Sequence, residues 1–305
     1  MEIIKAVIPA AGFGTRFLPY TKSIPKEMLP LLDRPAIQSI VEEGIASGIK
    51  NFIMVTNKDK ESIINHFDSN PLLETFLREK NQQNLTEDLE KINRAADFTF
   101  VRQSEPLGLG HAILKAQHSI GKEHFAIMLP DDILISKIPG LSQLIRVARQ
   151  EKASIIAVQE VPQECVSSYG IIKIKKQITP NLFKVAEIIE KPKQKDAPSN
   201  LAVVGRYVLS NKIFSSLEEI APYAINELQL TDAITHMLKN NEKVFAFKIQ
   251  GLRYDIGTPV GWLKATLGMA LQSPEYGPYM RRFLADLDSP ESFVYNKAKN
   301  IHHII

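Results

Sequence analysis

A single cysteine, Cys165, stands in 305 residues, so no disulfide can form within the chain. That usage suits a reducing compartment. Nothing around Cys165 is built to make a thiolate, which argues against a cysteine nucleophile. The N-terminus has no basic segment followed by a long apolar stretch, so it does not read as a secretory signal. No run approaches the roughly 18 apolar residues that a membrane span requires. Charge of one sign is also lacking: Lys+Arg number 37 against Asp+Glu 34, a net +3. That balance speaks against nucleic acid as the main partner, and the expectation is a cytoplasmic protein. Internal repeats, low-complexity tracts and clear linkers are missing too. The expectation is one domain over residues 1–275, with 276–305 as an extension of unassigned role.

Two common phosphate grips are also missing. Gly-x-Gly occurs at Gly12-Phe13-Gly14, but the third glycine of the dinucleotide fingerprint is replaced by Phe17. The second strand ends in Thr56-Asn57 rather than in the acidic residue that holds a ribose. A Gly-Lys-Ser/Thr run of the Walker type occurs nowhere in the sequence.

What is present is a different grip. An apolar strand, Ile3–Pro9, runs into Ala10-Ala11-Gly12-Phe13-Gly14-Thr15-Arg16, and Thr21-Lys22-Ser23-Ile24-Pro25-Lys26 follows. Glycines let backbone N–H groups approach a ligand. The cations Arg16, Lys22 and Lys26 suit a polyphosphate, whose charge must be offset before a nucleophile can approach. Gly-x-Gly alone marks only a tight turn; Thr15-Arg16 and Pro25-Lys26 turn it into a triphosphate site.

Strand-like and helix-like segments alternate through the first half. Strands are expected at Asn51–Thr56, Phe98–Arg102 and His124–Leu129, and helices at Pro35–Gly48, Lys58–Phe67 and Gly110–Ser119. Such alternation implies a parallel sheet covered on both faces. A polar, helix-prone insert spans residues 71–96, read as a solvated excursion with a subunit contact as the lesser alternative. The second half is richer in strands: Ala153–Val158, Gly170–Ile174, Phe183–Ile189, Leu201–Val208 and Val244–Ile249. Helices are expected at Asn211–Glu219, Leu230–Lys239 and from Pro259 to Ala270. Trp262 is expected in the core.

Strand ends in such a sheet face the ligand crevice. Leu129-Pro130-Asp131-Asp132 ends one strand, and a carboxylate there can hold Mg²⁺, an ion of oxygen ligands that bridges to substrate phosphates. The alternative is a turn or helix cap. Asp255, in Arg253-Tyr254-Asp255-Ile256-Gly257, is a second metal ligand or a structural Asp bonded to the N–H groups after it. Gln103 to Gly110 offers an amide and close backbone for the edge of a pyrimidine. Glu187 to Pro192 offers a carboxylate for sugar hydroxyls and a lysine for a sugar phosphate; the alternative is a solvated acid–base pair.

These blocks together resemble the sugar-nucleotidyltransferase family, and within it the uridylyltransferases. The resemblance runs from residue 4 to about 270, carried by Pro9–Pro19, Ile24–Pro30, Gln103–His111, Leu129–Asp132, Ile189–Pro192, Val204–Leu209 and Arg253–Gly257. Pro25-Lys26-Glu27-Met28-Leu29-Pro30 and Leu107-Gly108-Leu109-Gly110-His111 point to UTP rather than dTTP. The resemblance implies a Rossmann-like mixed, mostly parallel sheet flanked by helices, and assembly as homodimers or homotetramers. It implies that Arg16 and Lys26 hold the triphosphate. Ala10, Ala11, Gly12, Gln103 and Gly108 receive the uridine, beside Gly14 and Thr15 of the loop. Asp131 binds Mg²⁺, with Asp255 as a second ligand. Gly170, Glu190 and Val204 line the hexose, and Lys191 meets the sugar phosphate. The implied reaction transfers uridylyl from UTP to glucose 1-phosphate, with small molecules as the only substrates and no nucleic acid or membrane partner. Close alternatives are dTTP or another hexose 1-phosphate. A non-catalytic relative is a further alternative, but such chains lose the cationic loop residues that this one keeps. Thr258 stands where a Lys often follows the Gly in the uridylyl branch. The stretch from Ser289 onward carries none of the blocks of the resemblance, and His302-His303 near the end is expected to fray or to pack on a neighbour.

Overall fold

The computed structural model describes residues 1–224 and 227–287; the tail from Ser289 and the His302-His303 pair lie outside them. The strands in chain order are β1 (Lys5–Pro9), β2 (Pro30–Leu31), β3 (Arg34–Pro35), β4 (Asn51–Thr56), β5 (Asp97–Arg102), β6 (Phe125–Met128), β7 (Asp132–Ile135), β8 (Ser154–Glu160), β9 (Gly170–Thr179), β10 (Leu182–Glu190), β11 (Leu201–Leu209), β12 (Val244–Lys248) and β13 (Leu252–Asp255). The helices are α1 (Ala36–Ala46), α2 (Glu61–Phe67), α3 (Pro71–Glu79), α4 (Glu87–Ala95), α5 (Leu109–Lys115), α6 (Gln117–Ile120), α7 (Gly140–Glu151), α8 (Lys212–Ile220), α9 (Leu230–Lys239), α10 (Pro259–Gln272) and α11 (Gly277–Leu287).

Nine strands form one sheet in the order β5-β4-β1-β6-β11-β8-β12-β10-β9. The first four are parallel and in register, Lys5 opposite Asn51 and Asn51 opposite Asp97. Their C-terminal ends therefore share one edge. The loops that leave it are the glycine loop after β1, Asn57–Lys60 after β4, Gln103–Gly108 after β5 and Leu129–Asp131 after β6.

The sheet is mixed, as expected, but its parallel share is confined to this half and to β8–β12. The pairings of β11 with β6 and β8, and of β10 with β9 and β12, are antiparallel. The cause is connectivity: β9 and β10 are joined by the tight turn around Pro180-Asn181, and no crossover helix intervenes.

Alternation along the buried strands builds two cores. Ala6, Ile8, Phe52, Met54, Ala126 and Met128 face one layer. Val7, Ile53, Val55, Phe125 and Ile127 face the other. A sheet buried on both faces needs both sets to be apolar, which is why these strands read as continuous hydrophobic runs. On the first face, α1 buries Ile37, Ile40, Val41 and Gly44 at helical spacing. A Cβ at Gly44 would stand 2.6 Å from the Phe52 ring, so glycine sets how closely α1 sits on the sheet. The helix α7 buries Leu141, Leu144, Ile145 and Ala148 on that face. On the other face lie α5, α8 and α9. Trp262 packs against the core half-buried, its indole N–H donating to the Pro30 carbonyl at 2.9 Å.

The 71–96 insert folds as α3 and α4 around a short turn. Leu77 and Ile92 are buried, whereas Leu72, Phe76 and Leu85 are exposed. Within the described residues no helix is long and apolar enough to cross a membrane.

Candidate active site

The glycine loop is tied down from three sides. Ala10 N–H donates to Val55 O at 2.7 Å, Asn57 Nδ2 donates to Ala11 O at 2.8 Å, and Thr21 Oγ1 donates to Gly14 O at 2.8 Å. Gly14 has φ 67, in the left-handed region. Gly12 differs: a Cβ there would meet nothing within 4 Å. Packing does not require that glycine, and the open space beside its backbone leaves room for a ligand to approach.

Gly12 borders a cleft of about 290 Å³ that Ala11, Lys26, Gln103, Gly108 and Asp131 also line. Six of the expected residues thus surround one space. On one wall, Gln103 Nε2 donates to Gly108 O at 3.1 Å and lies 2.9 Å from His111 Nδ1. Burial lowers the proton affinity of His111, with Lys115 adding to the effect. A neutral His111 protonated on Nε2 accepts that contact. Both Gln103 amide hydrogens are then engaged, and Oε1 is the acceptor left for a base N–H. Gly108 has φ 98, and a Cβ would stand 2.8 Å from Leu228 O. The position requires glycine.

On the other wall Lys26 Nζ meets Asp131 Oδ2 at 2.7 Å. Burial works against both charges, and each is rescued by the other. The Lys26 ammonium ends above its ordinary value because Asp131 and then Glu27 outweigh desolvation. The Asp131 carboxyl ends below its ordinary value because the Lys26 charge and hydrogen bond outweigh desolvation. Both groups are held charged.

The two-stranded sheet of β7 and β13 sets Asp255 opposite Asp132 in register. Ile256 N–H donates to Asp131 O at 2.8 Å. A Cβ placed on Gly257 would lie 3.0 Å from Asp255 Oδ1, 3.3 Å from Asp131 Oδ2 and 3.5 Å from an Arg16 guanidinium nitrogen. Two carboxylate oxygens and the Arg16 fork therefore border one spot, kept open by a missing side chain. Arg16 also donates to Gly257 O at 3.3 Å. Asp255 is at once structural, accepting Gly257 N–H at 3.0 Å, and a member of the cluster. The two sequence readings of it are compatible.

Asp132 points elsewhere. It accepts Gly205 N–H at 2.7 Å and pairs with Arg253 Nε at 2.7 Å. Thr258, where a Lys often stands, caps α10 by accepting Gly261 N–H at 3.1 Å.

The sugar-side residues form a second group. Gly170 lies opposite Glu190 across β9 and β10. A Cβ at Gly170 would stand 3.0 Å from Thr231 Cγ2 and 3.1 Å from Glu190 Oε2. Thr231 Oγ1 donates to Glu190 at 3.1 Å. Lys191, at φ 45, is anchored through its N–H to Tyr169 O at 3.0 Å, and its ammonium stays largely exposed. Val204 lies within the core with its side chain buried, so the structure does not open that side chain to a ligand as the resemblance implied. Tyr169 joins the two groups. It precedes Gly170, its ring lies beneath the Arg253 guanidinium, and its hydroxyl donates to Asp255 Oδ2 at 3.2 Å.

Sequence reasoning did not single out Tyr169, Asn57, Thr231 or Lys60, because each acts through a tertiary contact with no local motif. Among the described residues no group of three or more His, Cys, Asp or Glu side chains is arranged to hold a metal. Asp131 and Asp255 are the carboxylates that could hold a cation here, and such an ion would take the rest of its shell from water and phosphate, the usual habit of Mg²⁺. Hard oxygen donors suit that ion.

The sequence matches the nucleotidyl transferase family over residues 5–271. It is 46% identical over 287 residues to the UTP–glucose-1-phosphate uridylyltransferase of Staphylococcus epidermidis strain RP62A, covering 94% of this chain and 99% of the relative. It is 45% identical over 291 residues to the UTP–glucose-1-phosphate uridylyltransferase YngB of Bacillus subtilis strain 168, covering 95% and 97%. Among solved structures, a UTP-bound UGPase from Acinetobacter baumannii superposes with a TM-score of 0.87 at 41% identity, over 94% of this chain and 100% of that one. A UDP-glucose pyrophosphorylase in complex with UDP-glucose superposes with a TM-score of 0.82 at 39% identity, over 89% and 100%.

Proposed function

The chain belongs to the nucleotidyl transferase family, and from that premise we propose that it transfers uridylyl from UTP to glucose 1-phosphate. The observation that carries the proposal is the convergence of Arg16, Lys26, Asp131 and Asp255 beside a cleft closed by Gln103 and Gly108. A cationic, carboxylate-bearing wall and an amide wall face one space, as a nucleoside triphosphate requires. Relatives named for this activity cover nearly the whole chain.

An oxygen of the glucose 1-phosphate phosphate attacks the α-phosphorus in line. A new P–O bond forms, the bond from the α-phosphorus to the bridging oxygen breaks, and pyrophosphate leaves with that bond's electron pair. The nucleophile is already anionic, so no general base is needed. What this chain supplies is position and charge. Arg16 and Lys26 offset the triphosphate charge. Gln103 Oε1 and the Gly108 backbone fix the uracil. Glu190 accepts from sugar hydroxyls, and the exposed Lys191 ammonium draws the sugar phosphate. Bound Mg²⁺, held by Asp131 with Asp255 beside it, would add Lewis-acid neutralisation at the reacting phosphate. A cytoplasmic location and a homodimer or homotetramer complete the reading; the single cysteine supports the first.

The test is pyrophosphate release by purified protein with UTP, glucose 1-phosphate and Mg²⁺, beside arms with dTTP, galactose 1-phosphate or a chelator. Release that needs UTP and glucose 1-phosphate and stops on chelation is the expected result. Release with dTTP or galactose 1-phosphate in preference would move the substrate, and silence from folded protein would defeat the reading.

A further inference from the structure

Behind Lys26 lies an ion pair that the reaction does not explain. Lys60 Nζ donates to Glu27 Oε2 at 2.6 Å, and the two residues are only 4% and 2% exposed. A buried pair seldom stabilises more than apolar groups of the same volume, because both charges lose their water. Its presence calls for another reason. The second Glu27 oxygen, Oε1, is buried with no hydrogen-bond partner. A carboxylate with an open lone pair therefore stands one residue from the cation of the cleft wall. Glu27 borders the nucleotide cleft, and Lys60 borders the neighbouring cavity of about 740 Å³ below the glycine loop.

The charges around Lys26 are Asp131, Glu27 and Arg16. Two carboxylates thus compete for one ammonium. Only one of them, Asp131, is hydrogen-bonded to it. The other is occupied by Lys60, delivered from the loop after β4 that also carries Asn57, the residue holding the Ala11 carbonyl. One loop fixes both the glycine loop and the ion pairing of the carboxylate beside Lys26.

We propose that Lys60 is a positioning residue for the nucleotide site, neutralising Glu27 so that Lys26 stays committed to Asp131 and the triphosphate. This rests on the uridylyl-transfer reading. Without the Lys60 charge, a buried carboxylate would face the triphosphate across Lys26 and pull the ammonium toward itself. The penalty falls on the nucleotide, since the sugar group around Gly170, Glu190 and Lys191 lies on other strands.

The experiment compares wild type, K60M, K60R, E27Q and the double variant E27Q/K60M. Each is assayed for equilibrium UTP binding by calorimetry, for KM of UTP and of glucose 1-phosphate, and for melting temperature. The expected result is at least about a tenfold loss of UTP affinity in K60M, with the KM for glucose 1-phosphate within about twofold. K60R, which keeps the charge, and E27Q/K60M, which removes the acid, recover UTP binding to within about threefold. E27Q alone binds UTP no more weakly than wild type. A purely packing role for Lys60 would leave E27Q/K60M as impaired as K60M, and that outcome overturns the proposal. So does K60M with wild-type UTP affinity. If K60M does not fold, E27Q decides: a tenfold weaker UTP affinity there overturns the idea, and unchanged affinity upholds it. If wild type neither binds nor turns over UTP, the functional reading itself has failed, a result separable from any pattern among the variants.

Discussion

Lys26 and Asp131 are each charged because the other is. Removing one leaves the other half-buried without its partner, so Asp131→Asn acts on both. The pH dependence follows from the directions of the two shifts. Asp131 titrates below its ordinary 3.8 in the folded chain, so its contribution is present above that value and lost as pH falls through the folded one. Lys26 titrates above its ordinary 10.5, so its contribution is present below that value and lost as pH rises through the folded one. Wild type should therefore exceed Asp131→Asn in urea midpoint at pH 7, and the gap should close toward pH 3. Turnover of folded Asp131→Asn should fall by about 10²-fold or more; a normal rate would remove Asp131 from the metal and phosphate site. Tyr169→Phe probes a gentler effect. It deletes only the hydroxyl on Asp255 and keeps the carbonyl that anchors Lys191. About a tenfold rise in the Mg²⁺ concentration for half-maximal rate is expected, checked by Mn²⁺ binding to the substrate-free protein, with the KM for glucose 1-phosphate little changed.

The loop from Gln103 to α5 shows how an element can depend on one backbone conformation. Gly108 N-caps α5 at φ 98, and its missing Cβ lets Leu228 approach. Leu107 O accepts Leu228 N–H at 2.8 Å, and Gly110 N–H donates to Leu228 O at 2.7 Å. Gly108→Ala meets both strain and collision, so a loss of about 1–3 kcal/mol by chemical denaturation is expected, along with weaker UTP binding measured by calorimetry. The need for glycine here was visible in the sequence only as Leu-Gly-Leu-Gly, whereas the partner Leu228, over a hundred residues away, was not. The same division runs through the fold. Strands such as Asn51–Thr56 were legible because burial on both faces makes them continuously apolar. Leu230–Lys239 was legible from its helical period. The helix α7 has its own clear period, Leu141-Leu144-Ile145-Ala148, but no capping side chain marks its start; Pro139 stands at its N-terminus without a side-chain hydrogen bond. The short strands β7 and β13 were not legible at all, since their pairing is fixed by tertiary contact. That pairing is what brings Asp255 to Asp131, so the sequence could name both carboxylates but not their meeting.

At the scale of the molecule, one buried ion pair spans the layers. Arg206, on β11 in the middle of the sheet and 2% exposed, makes a two-armed contact with Glu43 of α1 at 3.0 and 2.7 Å. Its remaining guanidinium nitrogen reaches Leu129 O and Gly205 O at 3.3 and 3.2 Å. Glu43 also accepts the Leu141 N–H of α7 at 2.9 Å. Thus α1, α7, β11 and the loop that carries Asp131 meet at one charged node, and parts distant in sequence are bound through it. Every arm of the guanidinium is used and both Glu43 oxygens are engaged, the geometry in which a buried pair can offset its lost hydration. Arg206→Leu leaves Glu43 as a buried carboxylate facing apolar atoms. A loss of about 3–5 kcal/mol is expected from denaturant unfolding. The double variant Arg206→Leu with Glu43→Gln should recover part of that loss, because the stranded charge is gone while Gln still accepts from Leu141. Recovery by the double variant would locate the cost in the unpaired charge. Equal instability in single and double variants would locate it in the lost bonds to Leu129 and Gly205, and so in the loop that carries Asp131.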